Sequence, residues 1–264
     1  FSRSLPLFGS QRILWPPVAA ELSRPPRVLA VSPRDEIRLL RTVLLAPGLS
    51  LREIERIEAE LEADGRYSAI VDTIGGFASY PAIVRDTRSY VSTVETIAHE
   101  WLHHYLFFYP LGRAFFNSTE LRSINETVAD TIDEEIAAQV FATYPDVRVP
   151  RAPRPDRSEA DALLVQLRRD VDALLAEGRV QEAERLMEEV RLELASKGRR
   201  FRRINLAFFA FNGVYATRPA GATNPIGPLV RELRAGSPSL LDFVEAVREV
   251  DSLAELQALA PPPR

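Results

Sequence analysis

The three histidines of this chain all lie within one six-residue segment, HEWLHH. His99 and His103 bracket Glu100 in the pattern H-E-x-x-H. Residues four apart on a helix lie one turn apart on the same side, which is the spacing that two imidazoles need to share a zinc ion. A glutamate beside two such ligands can act as a general base. Helices also carry this pattern by chance, so the segment by itself predicts a metal site with a metal-free helix as the alternative.

The residues around the motif have the spacing of an amphipathic helix. Apolar residues recur at intervals of three and four, at Val94, Ile97, Ala98, Trp101, Leu102 and Tyr105. We therefore predict a helix from about Ser92, with Glu95 completing a capping box, to about Phe108, before Pro110. The two motif histidines flank the apolar stripe, so a bound metal would lie at the edge of the core. His104 is rotated about 100° from His103, which predicts a surface or hydrogen-bonded histidine instead of a ligand.

A second helix, predicted over residues 119–142, carries acidic residues that suit the same site. Glu126 and Asp130 are four apart and therefore share a face. Glu126 follows His103 by 23 residues, which allows a loop and an antiparallel return. Its carboxylate would complete a His₂Glu zinc site with a fourth position left for water. Asp130 could orient a ligand histidine through its free ring N–H. The alternative is a solvated acidic face, because three more acidic residues follow at 133–135.

The two motifs together, HEWLH and NETVAD, resemble those of the gluzincin metallopeptidases, the thermolysin-like group. The resemblance covers residues 92–136, about one sixth of the chain. It implies a zincin-like fold with one Zn²⁺ per chain, bound by His99, His103 and Glu126. It further implies that Glu100 is the catalytic base and Asp130 the carboxylate behind a ligand. The chemistry suits these residue types, because zinc lowers the pKa of bound water and polarises a carbonyl, while Glu100 can move the proton to the leaving amine.

The sequence departs from the thermolysin-like pattern in one respect. Those enzymes use a downstream histidine as an oxyanion donor, whereas no histidine follows His104 here. We predict that Tyr215 supplies a catalytic hydroxyl in its place, with Arg218 and Tyr80 as the other candidates and as substrate-binding residues. A core tyrosine is the alternative for Tyr215. The segment FASYPAIV is predicted as an edge strand that pairs with an extended peptide substrate.

Periodicity along the chain predicts an α+β, predominantly helical fold with a small sheet. Helices are expected at 34–45, 50–63, 158–176, 180–197, 200–216, 229–234, 239–247 and 253–259, with strands at 67–71 and 77–84. Residues 158–197 are predicted to form an antiparallel helical hairpin. The predicted organisation is an extended N-terminal segment at 1–27, a zincin-like catalytic core at 28–143, a linker at 144–157 and a helical C-terminal part at 158–264.

Composition limits the possible classes of protein. Apolar residues make up 46% and charged residues 27% of the 264 residues, which excludes a disordered chain, a collagen and a membrane bundle. The 33 basic and 37 acidic residues give a net charge of −4, which argues against a nucleic-acid partner. Cysteine is absent, so neither a disulfide framework nor a thiolate metal site is possible.

The sequence begins at Phe1 and contains one methionine, Met187. We expect a preceding piece, which would be a signal peptide, a membrane anchor or a cloning boundary. An extracytoplasmic or membrane-anchored location is therefore expected, with the cytoplasm as the alternative. The expected activity is that of a zinc metallopeptidase acting on a peptide or protein substrate. There are two alternatives. One is a non-catalytic binding or scaffold protein on a zincin fold, and the other is a zinc hydrolase that acts on non-peptide amides.

Overall fold

The computed structural model describes residues 2–4, 12–87, 89–144 and 158–260 and shows a mostly helical α+β protein. The strands are β1 (Ser2–Ser4), β2 (Arg12–Leu14), β3 (Ala20–Ser23), β4 (Arg27–Pro33), β5 (Arg41–Leu45), β6 (Tyr67–Thr73), β7 (Gly76–Phe77) and β8 (Ala82–Arg85). The helices are α1 (Leu51–Glu62), α2 (Tyr90–Leu106), α3 (Pro110–Arg113), α4 (Thr119–Thr143), α5 (Ser158–Ala176), α6 (Val180–Ser196), α7 (Leu206–Asn212), α8 (Ile226–Gly236), α9 (Leu240–Val247) and α10 (Leu253–Leu259). Within these ranges, no helix has the length and apolar character that a membrane crossing requires.

The chain forms two compact units, and each is built from separate stretches of sequence. The first unit draws on Phe1–Pro25, Gly75–Arg151 and Pro228–Arg264, and the second on Pro26–Ile74 and Ala152–Gly227. These units differ from the divisions predicted from the sequence, because 28–143 and 158–264 are each shared between both units. Local periodicity identifies elements but carries no record of which distant elements pack together. Apart from Tyr144, the predicted linker lies outside the described residues.

In the first unit, α2 packs against α4 and against a small sheet of order β3-β8-β7. Strand β3 is parallel to β8, whereas β7 is antiparallel to it and forms an edge. The strand predicted at 77–84 is thus interrupted by a turn, and β8 begins only after Pro81, which has no N–H to give to a ladder. The prediction of one edge strand is wrong for β8, which is the central strand and pairs on both sides. Strands β1 and β2 pair with each other in antiparallel fashion.

The two helices of the predicted metal site form where the sequence pattern places them. The apolar stripe of α2 is buried at Ala98, Trp101, Leu102 and Tyr105, and that of α4 at Leu121, Ile124, Val128 and Ile132. The predicted start of α2 is wrong by one turn. Ser89 is the N-cap, and its side chain accepts a hydrogen bond from the Ser92 amide at 3.3 Å. Ser92 lies inside the helix, so the capping-box spacing of Ser92 and Glu95 does not mark the start of α2.

The second unit is a three-stranded antiparallel sheet, β5-β4-β6, covered by helices on both faces. Successive residues of β4 point to opposite faces. Val28 and Ala30 join the core formed with α5, α6 and α7, while Leu29 and Val31 join the core formed with α1. The helices α5 and α6 pack together as the predicted hairpin.

Two helices predicted in this unit differ from the structure. The helix expected at 34–45 is wrong, because Arg41–Leu45 is instead strand β5, paired with β4 along its length. Strand β4 itself was not predicted, since a strand covered on both faces lacks the alternation that identifies a half-exposed one. The helix expected at 200–216 is shorter, because Asn205 caps α7 by accepting a hydrogen bond from the Phe208 amide at 2.9 Å. Helix α1 begins at a complete capping box formed by Ser50 and Glu53.

A buried carboxylate connects three segments of the second unit. Glu58 on α1 is 2% exposed and accepts hydrogen bonds from the Val71 amide at 2.7 Å and from Arg202 at 2.8 Å. Arg203 lies 3.2 Å from the same carboxylate. We expect Glu58→Gln to lower the free energy of unfolding by about 1.5–3 kcal/mol, because the charge-assisted hydrogen bonds are lost. Urea unfolding measures the loss.

The surface residue Glu182 supplies a control for this prediction. It pairs with Arg179 at 2.7 Å in a solvent-exposed setting. Glu182→Gln should leave the urea midpoint nearly unchanged, because exposed ion pairs contribute little. Equal losses in the two variants would contradict the role of burial.

Candidate metal centre

Helices α2 and α4 bring His99, His103 and Glu126 together in a buried cluster of the first unit. The Nε2 atoms of His99 and His103 lie 3.3 Å and 3.4 Å from Oε2 of Glu126. One ligand atom from each of the three residues lies within 4.8 Å of the others. Two ligand atoms that are each about 2.0–2.1 Å from a tetrahedral zinc ion are separated by roughly 3.3–3.4 Å. The two histidine–glutamate distances therefore fit two edges of a tetrahedral zinc site.

The second nitrogen of each histidine faces a polar partner on α4. Nδ1 of His99 lies 3.3 Å from Oδ2 of Asp133, and Nδ1 of His103 lies 2.8 Å from Oδ1 of Asn125. An Nδ1–H that donates to these oxygens leaves Nε2 as the nitrogen that can bind a metal. The amide of Asn125 also donates to the Leu111 carbonyl at 3.4 Å. Each ring is thus oriented with its Nε2 toward Glu126.

Neither Asp133 nor Asn125 is among the site residues predicted from the sequence. Asp133 lies seven residues after Glu126, two helical turns along the same face, and Asn125 directly precedes Glu126. These two positions relative to Glu126 are the sequence features from which both residues could have been predicted. Asp130, the residue chosen from the sequence, has a carboxylate oxygen within 4.8 Å of His99 and Asp133 ligand atoms. Its orienting role stays a prediction, whereas Asp133 has the direct contact with His99.

The charges in the cluster favour an ionised glutamate and a cation beside it. Burial opposes ionisation of Glu126, but the charges and hydrogen bonds of His103 and His99 lower its pKa well below the usual value. Burial likewise opposes protonation of His99, yet its hydrogen bonds to Asp133 and Glu126 raise its pKa to about 10. A metal binds only the deprotonated imidazole nitrogen, so a cation bound at this cluster would replace a proton.

Glu100 lies between the two histidines in sequence and is buried against the edge strand β7. The residue is 6% exposed, and a Cβ atom placed on Gly76 would lie 2.2 Å from its Oε1. Only a glycine therefore allows the strand and the carboxylate to approach so closely. Burial raises the pKa of Glu100, and the positive charges of His99 and His103 partly oppose that effect. The result is a carboxylate held beside the cluster in a low-dielectric setting, which suits a group that both takes and returns a proton.

The remaining predicted residues lie in different places. His104 donates from Nε2 to the Ser79 carbonyl at 2.8 Å, so the prediction of a hydrogen-bonded histidine is confirmed. Tyr80 is 61% exposed and follows Ser79 in the turn between β7 and β8. Tyr215 and Arg218 belong to the second unit, where the Arg218 guanidinium lies 4.1 Å from the centre of the Tyr215 ring. Tyr215 also packs against the core of that unit. Their roles in catalysis and substrate binding stay predictions.

Comparisons of the chain with protein-family models, with curated proteins and with solved structures gave no match.

We expect Asp133→Asn to weaken zinc binding by about 10- to 100-fold, the usual effect of losing a carboxylate behind a histidine ligand. Its contact with His99 motivates this expectation. Competition with a chromophoric chelator measures the affinity. Asp130→Asn is the matched variant one turn earlier on α4, and its effect should be smaller. A larger loss in Asp130→Asn than in Asp133→Asn would assign the orienting role to Asp130.

Proposed function

We propose that this protein is a zinc-dependent metallopeptidase that hydrolyses peptide bonds. The observation that carries the proposal is the His99–His103–Glu126 cluster, whose two histidine–glutamate distances fit a tetrahedral site. Glu100 is buried on α2, the helix that carries both histidines. A His₂Glu ligand set that leaves one position open is the arrangement of catalytic zinc sites; closed structural sites use four protein ligands.

In the proposed reaction, His99, His103 and Glu126 would hold the ion. A bound zinc ion supplies a Lewis acid that polarises the scissile carbonyl and acidifies water. Glu100 accepts a proton from the attacking water and delivers it to the nitrogen of the leaving amine. Its raised pKa supports the second half of this transfer, because the protonated acid is then more accessible at neutral pH.

The elements around the cluster are consistent with a zincin-like fold, which we include in the proposal. The pair α2 and α4 carries all three ligands, and β7 is the edge strand beside Glu100. An exposed strand edge can pair with an extended peptide through backbone hydrogen bonds, which allows binding with little dependence on sequence. Tyr215 remains the proposed oxyanion donor, with Tyr80 and Arg218 as the alternatives and as substrate contacts. Tyr215→Phe would then lower kcat with little change in KM or zinc content.

A metal-dependence experiment tests the proposal. The purified chain is analysed for zinc and incubated with a mixture of fluorogenic peptides or with a denatured protein substrate. We expect one zinc per chain, cleavage that a chelator abolishes, and recovery of cleavage when Zn²⁺ is returned. Zinc binding without cleavage of any peptide would favour a binding protein or a hydrolase of other amides. A chain that binds no zinc would rule out the proposed mechanism.

A further inference from the structure

One side of helix α2 holds the turn that joins β7 to β8. Thr96, Glu100 and His104 are four residues apart and therefore form a stripe along the helix. Gly75 lies against Thr96, with 3.9 Å between a Cβ placed on the glycine and the Thr96 hydroxyl, and Gly76 lies against Glu100. His104 completes the stripe by its hydrogen bond to the Ser79 carbonyl. The same face thus carries the proposed base and, one turn later, a histidine bound to the adjoining turn.

The contacts of His104 connect its ring to the turn between β7 and β8. A carbonyl oxygen only accepts hydrogen bonds, so Nε2 carries a proton and donates it to Ser79. Tyr80 packs edge-on against the ring of His104, with centroids 5.6 Å apart and an interplanar angle of 68°. Within the turn, the Ser79 amide donates to the Phe77 carbonyl and its hydroxyl to the Pro81 carbonyl, both at 2.8 Å. His104 therefore holds Ser79 through its backbone and Tyr80 through its ring.

We propose that His104 is a positioning residue for the hydrolysis. By tying Ser79 and Tyr80 to α2, it sets the position of the β7 edge and of the Tyr80 side chain relative to Glu100. This inference rests on the proposed function, and it adds to that function a residue outside the metal ligands and the base. The Tyr80 side chain is 61% exposed, so burial does little to fix its position. We therefore assign that role to its contact with the His104 ring.

The kinetic test compares His104→Ala with His104→Gln. The alanine variant removes both the donor and the ring, while glutamine keeps an N–H donor at a similar reach. We expect His104→Ala to raise KM and to lower kcat/KM by about 10- to 100-fold, because small misplacements of substrate-positioning groups have effects of this size. Zinc content should stay at the wild-type level. His104→Gln should recover a large part of the loss.

Hydrogen exchange of the turn gives a readout that does not depend on activity. The Ser79 amide should exchange faster in His104→Ala than in wild type and should regain protection in His104→Gln. Trp101→Phe is the matched control, because Trp101 on the same helix donates from its ring N–H to the Pro16 carbonyl at 2.8 Å. That variant loses a bond of the same kind to a different segment, so KM and exchange at Ser79 should both stay at wild-type values.

The outcomes separate this inference from the proposed function. A wild-type chain that binds zinc and cleaves peptides, combined with unchanged KM and unchanged Ser79 exchange in His104→Ala, would overturn the positioning role alone. Loss of zinc from His104→Ala would also overturn it, since it would make His104 part of the metal site. A wild-type chain without hydrolysis would overturn the proposed function, and the catalytic meaning of His104 with it.

Discussion

Glu100→Gln is expected to lower kcat for peptide hydrolysis by about 10²–10⁴-fold, the usual contribution of a general base. Glutamine has nearly the same shape as glutamate but cannot accept the proton. Glu100 is not one of the three clustered ligand residues, so the variant should still hold one zinc per chain. Elemental analysis and steady-state kinetics on the same preparation separate loss of chemistry from loss of metal.

Gly76→Ala provides a second route to the same effect. The added Cβ would lie 2.2 Å from Oε1 of Glu100, so the carboxylate must move while the residue itself remains. We expect reduced kcat with retained zinc, and a smaller loss than in Glu100→Gln. Gly48→Ala is the matched control, because a Cβ there meets no atom within 4 Å. Full turnover by Glu100→Gln on a substrate that wild type cleaves would contradict the proposed base.

The elements that carry the site could be predicted from the sequence because each follows a local rule. The buried residues of α2 and α4 recur at helical spacing. The same holds outside the site for α1, where the Ser50 side chain caps the first turn. Strand β4 does not follow such a local rule. Leu29 and Val31 are buried on one face while Val28 and Ala30 are buried on the other, so the strand reads as a continuous apolar run. Burial of both faces of β4 depends on helices that are distant in sequence, and no pattern within residues 27–33 indicates where those helices pack.

The same distinction applies to the site. The spacing of His99 and His103 is a property of one helix, and the proximity of Glu126 follows once two amphipathic helices pack. The choice between Asp130 and Asp133 as the partner of His99 depends on the rotation of α4 against α2, which spacing alone leaves open. Tyr215 was selected from its neighbourhood in sequence, and it lies in the second compact unit. Assigning a donor to the metal centre requires three-dimensional information that a helix end followed by a glycine-containing loop does not supply.

Glu126→Ala should abolish both zinc binding and hydrolysis, the largest combined loss expected for any variant considered. Oε2 of Glu126 lies within 3.4 Å of both ligand nitrogens, and its lowered pKa keeps the carboxylate anionic. Its removal leaves two histidines, which is too few for a tetrahedral site with three protein ligands. His103→Ala should show the same loss from the α2 side. Glu120→Ala is the control, because Glu120 is an exposed carboxylate in the first turn of the same helix.

The response of thermal stability to zinc tests this loss without any substrate. A ligand that binds only the native state stabilises it by RT ln(1 + [L]/Kd), about 2.7 kcal/mol when zinc is at 100 times Kd. Wild type and Glu120→Ala should therefore melt at higher temperature with zinc than with a chelator. In Glu126→Ala the two melting temperatures should coincide. The comparison is made within each variant, because loss of a buried carboxylate also changes the stability of the metal-free protein. A wild-type zinc shift retained in Glu126→Ala would place the ion elsewhere and remove the basis for the proposed mechanism.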